Sequence, residues 1–219
     1  MRKLIILISL YLFIINSRVY SQNNIERYVN SFPIINTEVV QTSELLFQGI
    51  NASQSEALNY IYNGDTSRLY CIEEEYDMIT EKVINKYKIE VFPKKCARVN
   101  LDSLILVFYT TNECQNPRSL DWLNLYLAIY SMKYELLKTI LIHRESEYDT
   151  KMSSLINIKT MKVFQYNYNI DLKNKEFELF ELTNKEPYLV TKEKQSGNFS
   201  IDNLNKIIQK LGWLEKFEN

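Results

Sequence analysis

From residue 125 onward the chain is written in short apolar runs with a period of two, separated by short polar connections. The runs cover 125–130, 136–143, 152–158, 161–169, 176–183 and 188–194, and the connections include 146–149, 171–175, 184–187 and 195–198. A parallel crossover needs about a dozen residues or more, so runs this close together pair antiparallel. The pattern predicts a meander. Glycine is too scarce to serve its turns, with four in 219 residues at Gly49, Gly64, Gly197 and Gly212. Asn and Asp are therefore expected at left-handed turn positions.

The residues before 125 hold the other elements. The segment 101–109 (LDSLILVFY) is apolar on both faces, which predicts a central strand. Tyr87, Ile89 and Val91 alternate with Lys86, Lys88 and Glu90, the pattern of a half-buried strand. Between Leu69 and that strand, 73–86 fits a helix or a hairpin equally well. Ile25, Tyr28, Val29 and Phe32 recur at helical spacing and end at Pro33. Ser53-Gln54-Ser55-Glu56 is a capping box and Asn63-Gly64 a left-handed stop, so 54–63 is written as a helix at both ends. Leu204, Ile207, Ile208, Leu211 and Leu214 predict a terminal helix packed on the sheet. The expected fold is α+β: short N-terminal helices, an antiparallel meander of about 6–8 strands and a C-terminal amphipathic helix. No linker or repeat divides the chain, so 22–219 is read as a single domain.

Residues 1–21 read as a signal peptide. Met1-Arg2-Lys3 precedes twelve nearly unbroken apolar residues at 4–15, too short for a bilayer core of about 30 Å. Cleavage is expected after Ser21, with a secreted or periplasmic product. No second apolar run reaches membrane length. Without 1–21 the chain carries 23 basic and 27 acidic residues, a net charge of −4. That balance argues against nucleic acid as a partner.

A resemblance appears in the order of these segments. Tyr-Ile-Tyr-Asn-Gly-Asp at 60–65 closes a helix, and Leu-Ile-Leu-Val-Phe-Tyr at 104–109 forms a strand. Tyr-Leu-Ala-Ile-Tyr at 126–130, a lysine-threonine strand at 138–142 and Ser-Ser-Leu-Ile at 153–156 follow. Together they resemble uncharacterised small secreted proteins of Bacteroidetes-type bacteria that end in a meander. The resemblance spans 55–201. In such proteins a glycine is expected in the hairpin at 131–134, where this chain has Ser-Met-Lys-Tyr. The resemblance implies a fold and a location, and it carries no catalytic residues.

Composition excludes several chemistries. Four scattered glycines cannot write a phosphate loop or a dinucleotide fingerprint. One histidine excludes mechanisms that need two imidazoles. Cys71, Cys96 and Cys114 would enter an oxidising compartment, and an odd count allows one bridge whose pairing the spacing does not select. Glu73, Glu74, Glu75 and Asp77 read as a solvated acidic face, since adjacent glutamates project in different directions and do not make a calcium loop. His143, next to Arg144 and Glu145, reads as a surface histidine. Asp102 reads as a strand-entry residue. Phe164, Tyr166 and Tyr168 share one strand face opposite Gln165, Asn167 and Asn169. They form either a core face or an aromatic binding face.

These readings lead to a secreted or periplasmic, non-enzymatic binding protein acting on a protein or glycan through a sheet face or edge. One alternative is a periplasmic inhibitor or immunity-like protein, whose net charge of −4 suits a basic partner. A carboxylate-dependent hydrolase is another, since many acidic pairs exist. No catalytic residue, cofactor or metal ligand is assigned.

Overall fold

The computed structural model describes residues 22–46, 48–77, 79–80, 82–113, 122–145, 151–168, 174–181 and 188–196. The expected signal peptide at 1–21 and the expected terminal helix at 204–214 lie outside them.

The protein is mostly antiparallel sheet with few, short helices. Eight consecutive strands run in order through one large sheet: β5 (Lys94–Asn100), β6 (Leu104–Glu113), β7 (Trp122–Ser131), β8 (Leu136–Glu145), β9 (Lys151–Asn157), β10 (Lys162–Tyr168), β11 (Asn174–Glu181) and β12 (Tyr188–Ser196). The six period-two runs are β7 to β12, and the run at 101–109 contributes the start of β6. Two short earlier strands complete the sheet. β1 (Val39–Gln41) pairs with β9, and β2 (Ile50–Asn51) pairs with β5.

The sheet buries side chains on both faces. Leu104, Leu106 and Phe108 of β6 share one core with Leu125, Leu127 and Ile129 of β7. Val40 of β1 and Leu45 of α2 (Thr42–Leu45) also belong to it. The alternate residues Ile105, Val107, Tyr109, Ala128 and Tyr130 form a second core against Tyr28 and Val29 of helix α1, 22–30, and Phe32 just after it. This two-sided cover is why 104–111 is buried without interruption, and why β6 reads as continuously apolar.

β5 has no counterpart in the sequence reading, because Lys95 and Arg98 break its apolar pattern. Both are buried, with 6 and 7% of their surface exposed. They face the C-terminal end of α1. The Lys95 ammonium donates to Ser31 Oγ at 3.1 Å and to Glu56 at 2.9 Å. Arg98 donates to the Asn30 side chain and to the Val29 carbonyl. Cations at a helix C-terminus meet its orphan carbonyls and the negative end of its dipole. Gly49 sits where β5 is approached most closely. A Cβ there would stand 2.7 Å from the Lys95 carbonyl oxygen, and its φ is +122°.

The helix at 54–63 is capped as expected and differs inside. Ser53 accepts from the Glu56 amide, and Glu56 accepts from the Ser53 amide. After Gln54–Glu56 the chain widens into a π-helix over Ala57–Ile61, with the Tyr62 amide bonded to the Ala57 carbonyl at 2.8 Å. Asn63 and Gly64 take positive φ as the stop.

The other left-handed positions are a correction. Tyr134 and Met161 take them in the β7–β8 and β9–β10 hairpins, with φ of 61° and 56°. Tertiary contacts hold the bulky residues there: Tyr134 packs on the α1 core and accepts from Asn30, and Met161 packs on the inner core.

Candidate interaction surface

Three places hold side chains whose arrangement is not explained by ordinary core or surface. They are a polar seam inside the sheet, a groove beside α1 and a ribbon outside the sheet.

The seam lies where β8 and β9 separate. These strands share a single backbone pair, Arg144 with Met152. Farther along the same edge, β9 pairs with β1 instead. Side chains take over the backbone groups the split leaves open. Ser154 Oγ donates to the Ile142 carbonyl at 2.7 Å, and the Gln165 amide donates to the Leu141 carbonyl at 2.9 Å. Thr42 Oγ1 is 2.9 Å from both the Ser154 carbonyl and the Ser154 amide nitrogen. A hydroxyl has one proton. With that proton on the carbonyl, Thr42 accepts from the Ser154 amide, and Ser153 Oγ at 3.2 Å and His143 Nδ1 at 3.3 Å also meet its hydroxyl.

His143 is thus buried, contrary to the surface position read from sequence. A bulge causes this: Leu125 pairs with His143 and Tyr126 with Leu141, so Ile142 is extra. The seam contains Thr, Ser and His; the Thr42 and Ser154 hydroxyls are committed to backbone atoms, and Ser153 Oγ meets Thr42 Oγ1. It closes a gap in the sheet.

The groove, of about 250 Å³, lies between α1 and the π-helix and includes Asn24, Arg27, Ser55, Asn59 and Tyr60. Glu56 also lines it and is engaged by Lys95. Burial pushes the Glu56 carboxyl up, but the Ser53 bonds and the Lys95 ammonium outweigh that and hold it below its ordinary value. Tyr60 stacks on Tyr28 with ring centres 4.4 Å apart.

The ribbon is the third place. β3 (Tyr70–Tyr76) and β4 (Val83–Glu90) form a two-stranded sheet of their own. The segment 73–86 is therefore a hairpin. Its base is fixed. Leu69, at the end of a 3₁₀ turn over Thr66–Leu69, packs with Ala57 and Tyr62 in a small core that Phe92 adjoins. The Val91 amide bonds to the Leu69 carbonyl at 2.8 Å. Cys71 is disulfide-bonded, whereas Cys96 is a free, buried thiol that burial pushes up to about 11. Cys114 lies outside the described residues.

Above that base the ribbon has no core. β4 is exposed at every residue, which corrects the half-buried strand expected at 87–91. Ile72 is 56% exposed on one face, Tyr87 is 50% exposed on the other, and Ile84, in a bulge of β4, is 57% exposed. Ile79 at the turn is 92% exposed. Val83 and Ile89 complete a set of six, out of ten exposed large apolar side chains among the described residues. Scattered exposed apolar residues are ordinary, whereas a concentration on one element marks a contact surface.

Polar pairs hold the strands together. Glu74 accepts from Tyr76 and pairs with Lys86 across the strands. Glu75 accepts from Asn85 at 2.9 Å and from Tyr87 at 2.8 Å, and both bonds hold its carboxyl below the usual value. Asp77 accepts the Thr80 and Ile79 amides and closes the turn, with its carboxyl lowered for that reason. The Lys88 ammonium lies 3.6 Å from the centre of the Tyr70 ring. The acidic residues read as a solvated face are therefore partly engaged in cross-strand and turn bonds.

The other residues singled out from sequence do not converge on this surface. Phe164 is fully buried and Tyr166 half-buried, and the Tyr168 side chain lies outside the described residues. Asp102 is exposed in the turn before β6. Among the described residues, no group of three or more His, Cys, Asp or Glu could hold a metal, and no helix is long and apolar enough to cross a membrane. No family model matches the chain, and neither a curated protein nor a solved structure matches it.

Proposed function

We propose that the chain is an extracytoplasmic, non-enzymatic binding protein whose contact surface for a protein partner is the β3–β4 ribbon. The observation that carries this reading is the concentration of exposed apolar side chains on an element whose anchoring contacts, among the described residues, lie at its base. An isolated hairpin is at best marginally stable in water. This one is held in shape by cross-strand pairs and a bridged base, so Ile72, Ile79, Ile84 and Tyr87 are presented with little left to order on binding, which favours affinity. The apparent signal segment at 1–21 supports an extracytoplasmic setting.

The test places a photocrosslinking residue at Ile84 in the full chain, expressed in the cells that produce it. A discrete protein adduct is expected at Ile84 and not at Lys138, an exposed position in β8. Equal labelling at both positions, or none at Ile84, overturns the reading.

A further inference from the structure

We infer that the ribbon enters a cleft of a cationic protein and is covered on both faces, in place of docking flat against a surface. This rests on the ribbon being the contact surface, and deepens that reading.

The geometry comes from where the apolar groups point. Residues paired across the hairpin share a face. Ile72 pairs with Lys88, Glu74 with Lys86 and Tyr76 with Val83, which places Ile72 and Val83 on one face, with Ile84 the extra residue of a bulge beside Val83. Cys71 pairs with Ile89 and Glu73 with Tyr87, which places Ile89 and Tyr87 on the other. Ile79 stands at the turn between them. A flat partner can cover one face of a ribbon and leaves the other wet. Only walls on both sides, with a floor at the turn, remove all of these groups from water. A layer packed on a sheet sits about 10 Å from it, so the walls would stand about 20 Å apart around a ribbon of two strands.

The charge identifies the walls. Residues 70–90 contain six acids and three lysines, a net of −3. Of the mature chain's expected net of −4, this one hairpin holds most. Glu74 is neutralised by Lys86, but Glu75 and Asp77 are bonded by uncharged donors. Glu90 makes no ion pair among the described residues. A cleft that desolvates these carboxylates needs cations to meet them.

The free edge of β3 is closed to a second copy of itself. β3 carries three glutamates and no base, whereas β4 carries Lys86, Lys88 and Glu90. A two-fold pairing of β3 with its copy sets glutamates together. Like charges opposed across strands are unfavourable, and charged edges are how sheets avoid such pairing. The β3 edge is guarded and the faces are open.

The experiment uses the full chain in its producing cells, with the photocrosslinking residue placed separately at Ile72, Tyr87 and Ile79. The expected result is the same adduct protein from both faces and the turn, basic by isoelectric focusing. Its yield should fall about tenfold with Glu90→Lys, the size of effect a rim charge can carry. An adduct from one face only, an acidic adduct protein, a lipid adduct or a second copy of this chain overturns the cleft while leaving the ribbon as a contact surface. No adduct at any of the three positions overturns the ribbon reading itself.

Discussion

The β8–β9 seam and the β3–β4 ribbon depart from ordinary burial in opposite directions. In the seam, polar groups are inside: Thr42, Ser154 and His143 are almost wholly buried. In the ribbon, apolar groups are outside. In the seam, the Thr42 and Ser154 hydroxyls bond the backbone atoms that the split strands leave open. The ribbon is incomplete, because no layer covers its isoleucines. Burying a polar group is unfavourable unless it is bonded, and exposing apolar area forgoes about 25 cal/mol per Å². The chain meets the first condition within itself. A partner would have to meet the second. Hydrogen bonds in a buried polar cluster are therefore weak signs of chemistry here, and uncovered apolar area is the stronger sign of function.

Substitutions can break this comparison. Ile129→Thr, in the inner core, should cost the most, about 3–4 kcal/mol, through lost packing and a buried hydroxyl. Urea denaturation would measure it. Thr42→Val should cost about 2–3 kcal/mol, since it keeps the shape but strips partners from the Ser154 amide and carbonyl. Faster hydrogen exchange at Ser154 would accompany the loss. A change below 0.5 kcal/mol would mean that the seam does not depend on Thr42.

Glu56→Gln should cost about 1–2 kcal/mol at neutral pH by leaving the Lys95 ammonium without its carboxylate. The sign follows from the lowered Glu56 carboxyl. Its contribution is present above the ordinary carboxylate range and is lost as pH falls through its folded-state value. The two proteins should therefore converge in stability in acid. Persistent divergence at low pH would remove the charge from the explanation.

Ile84→Thr should change stability least, by no more than about 0.5 kcal/mol, since Thr keeps strand propensity and the site has no core. It should still lower partner binding. A stability loss near that of Ile129→Thr would show that the ribbon is packed after all.

The meander was legible because each of its strands is encoded locally, in a period of two and a short turn. The capping box at Ser53 and Glu56 was legible for the same reason, since its partners are three residues apart. β5 was not legible. Lys95 and Arg98 look like surface residues until α1 brings its C-terminus over them. His143 was placed on the surface because a bulge cannot be read from one strand alone. The seam was out of reach, since Thr42 and Ser154 are 112 positions apart. The candidate surface was half legible. Alternation at 87–91 gave the strand and also suggested that one face was covered.

The sequence alone determined the antiparallel pairing, the caps and the exclusion of nucleotide loops, because these depend on residues near one another in the chain. The tertiary structure decided which apolar faces acquire a neighbour. Ile129 and Ile84 are the same residue in similar alternating strands. One lies between layers and the other stands in solvent, and that difference is made by contacts between distant segments, which periodicity does not encode.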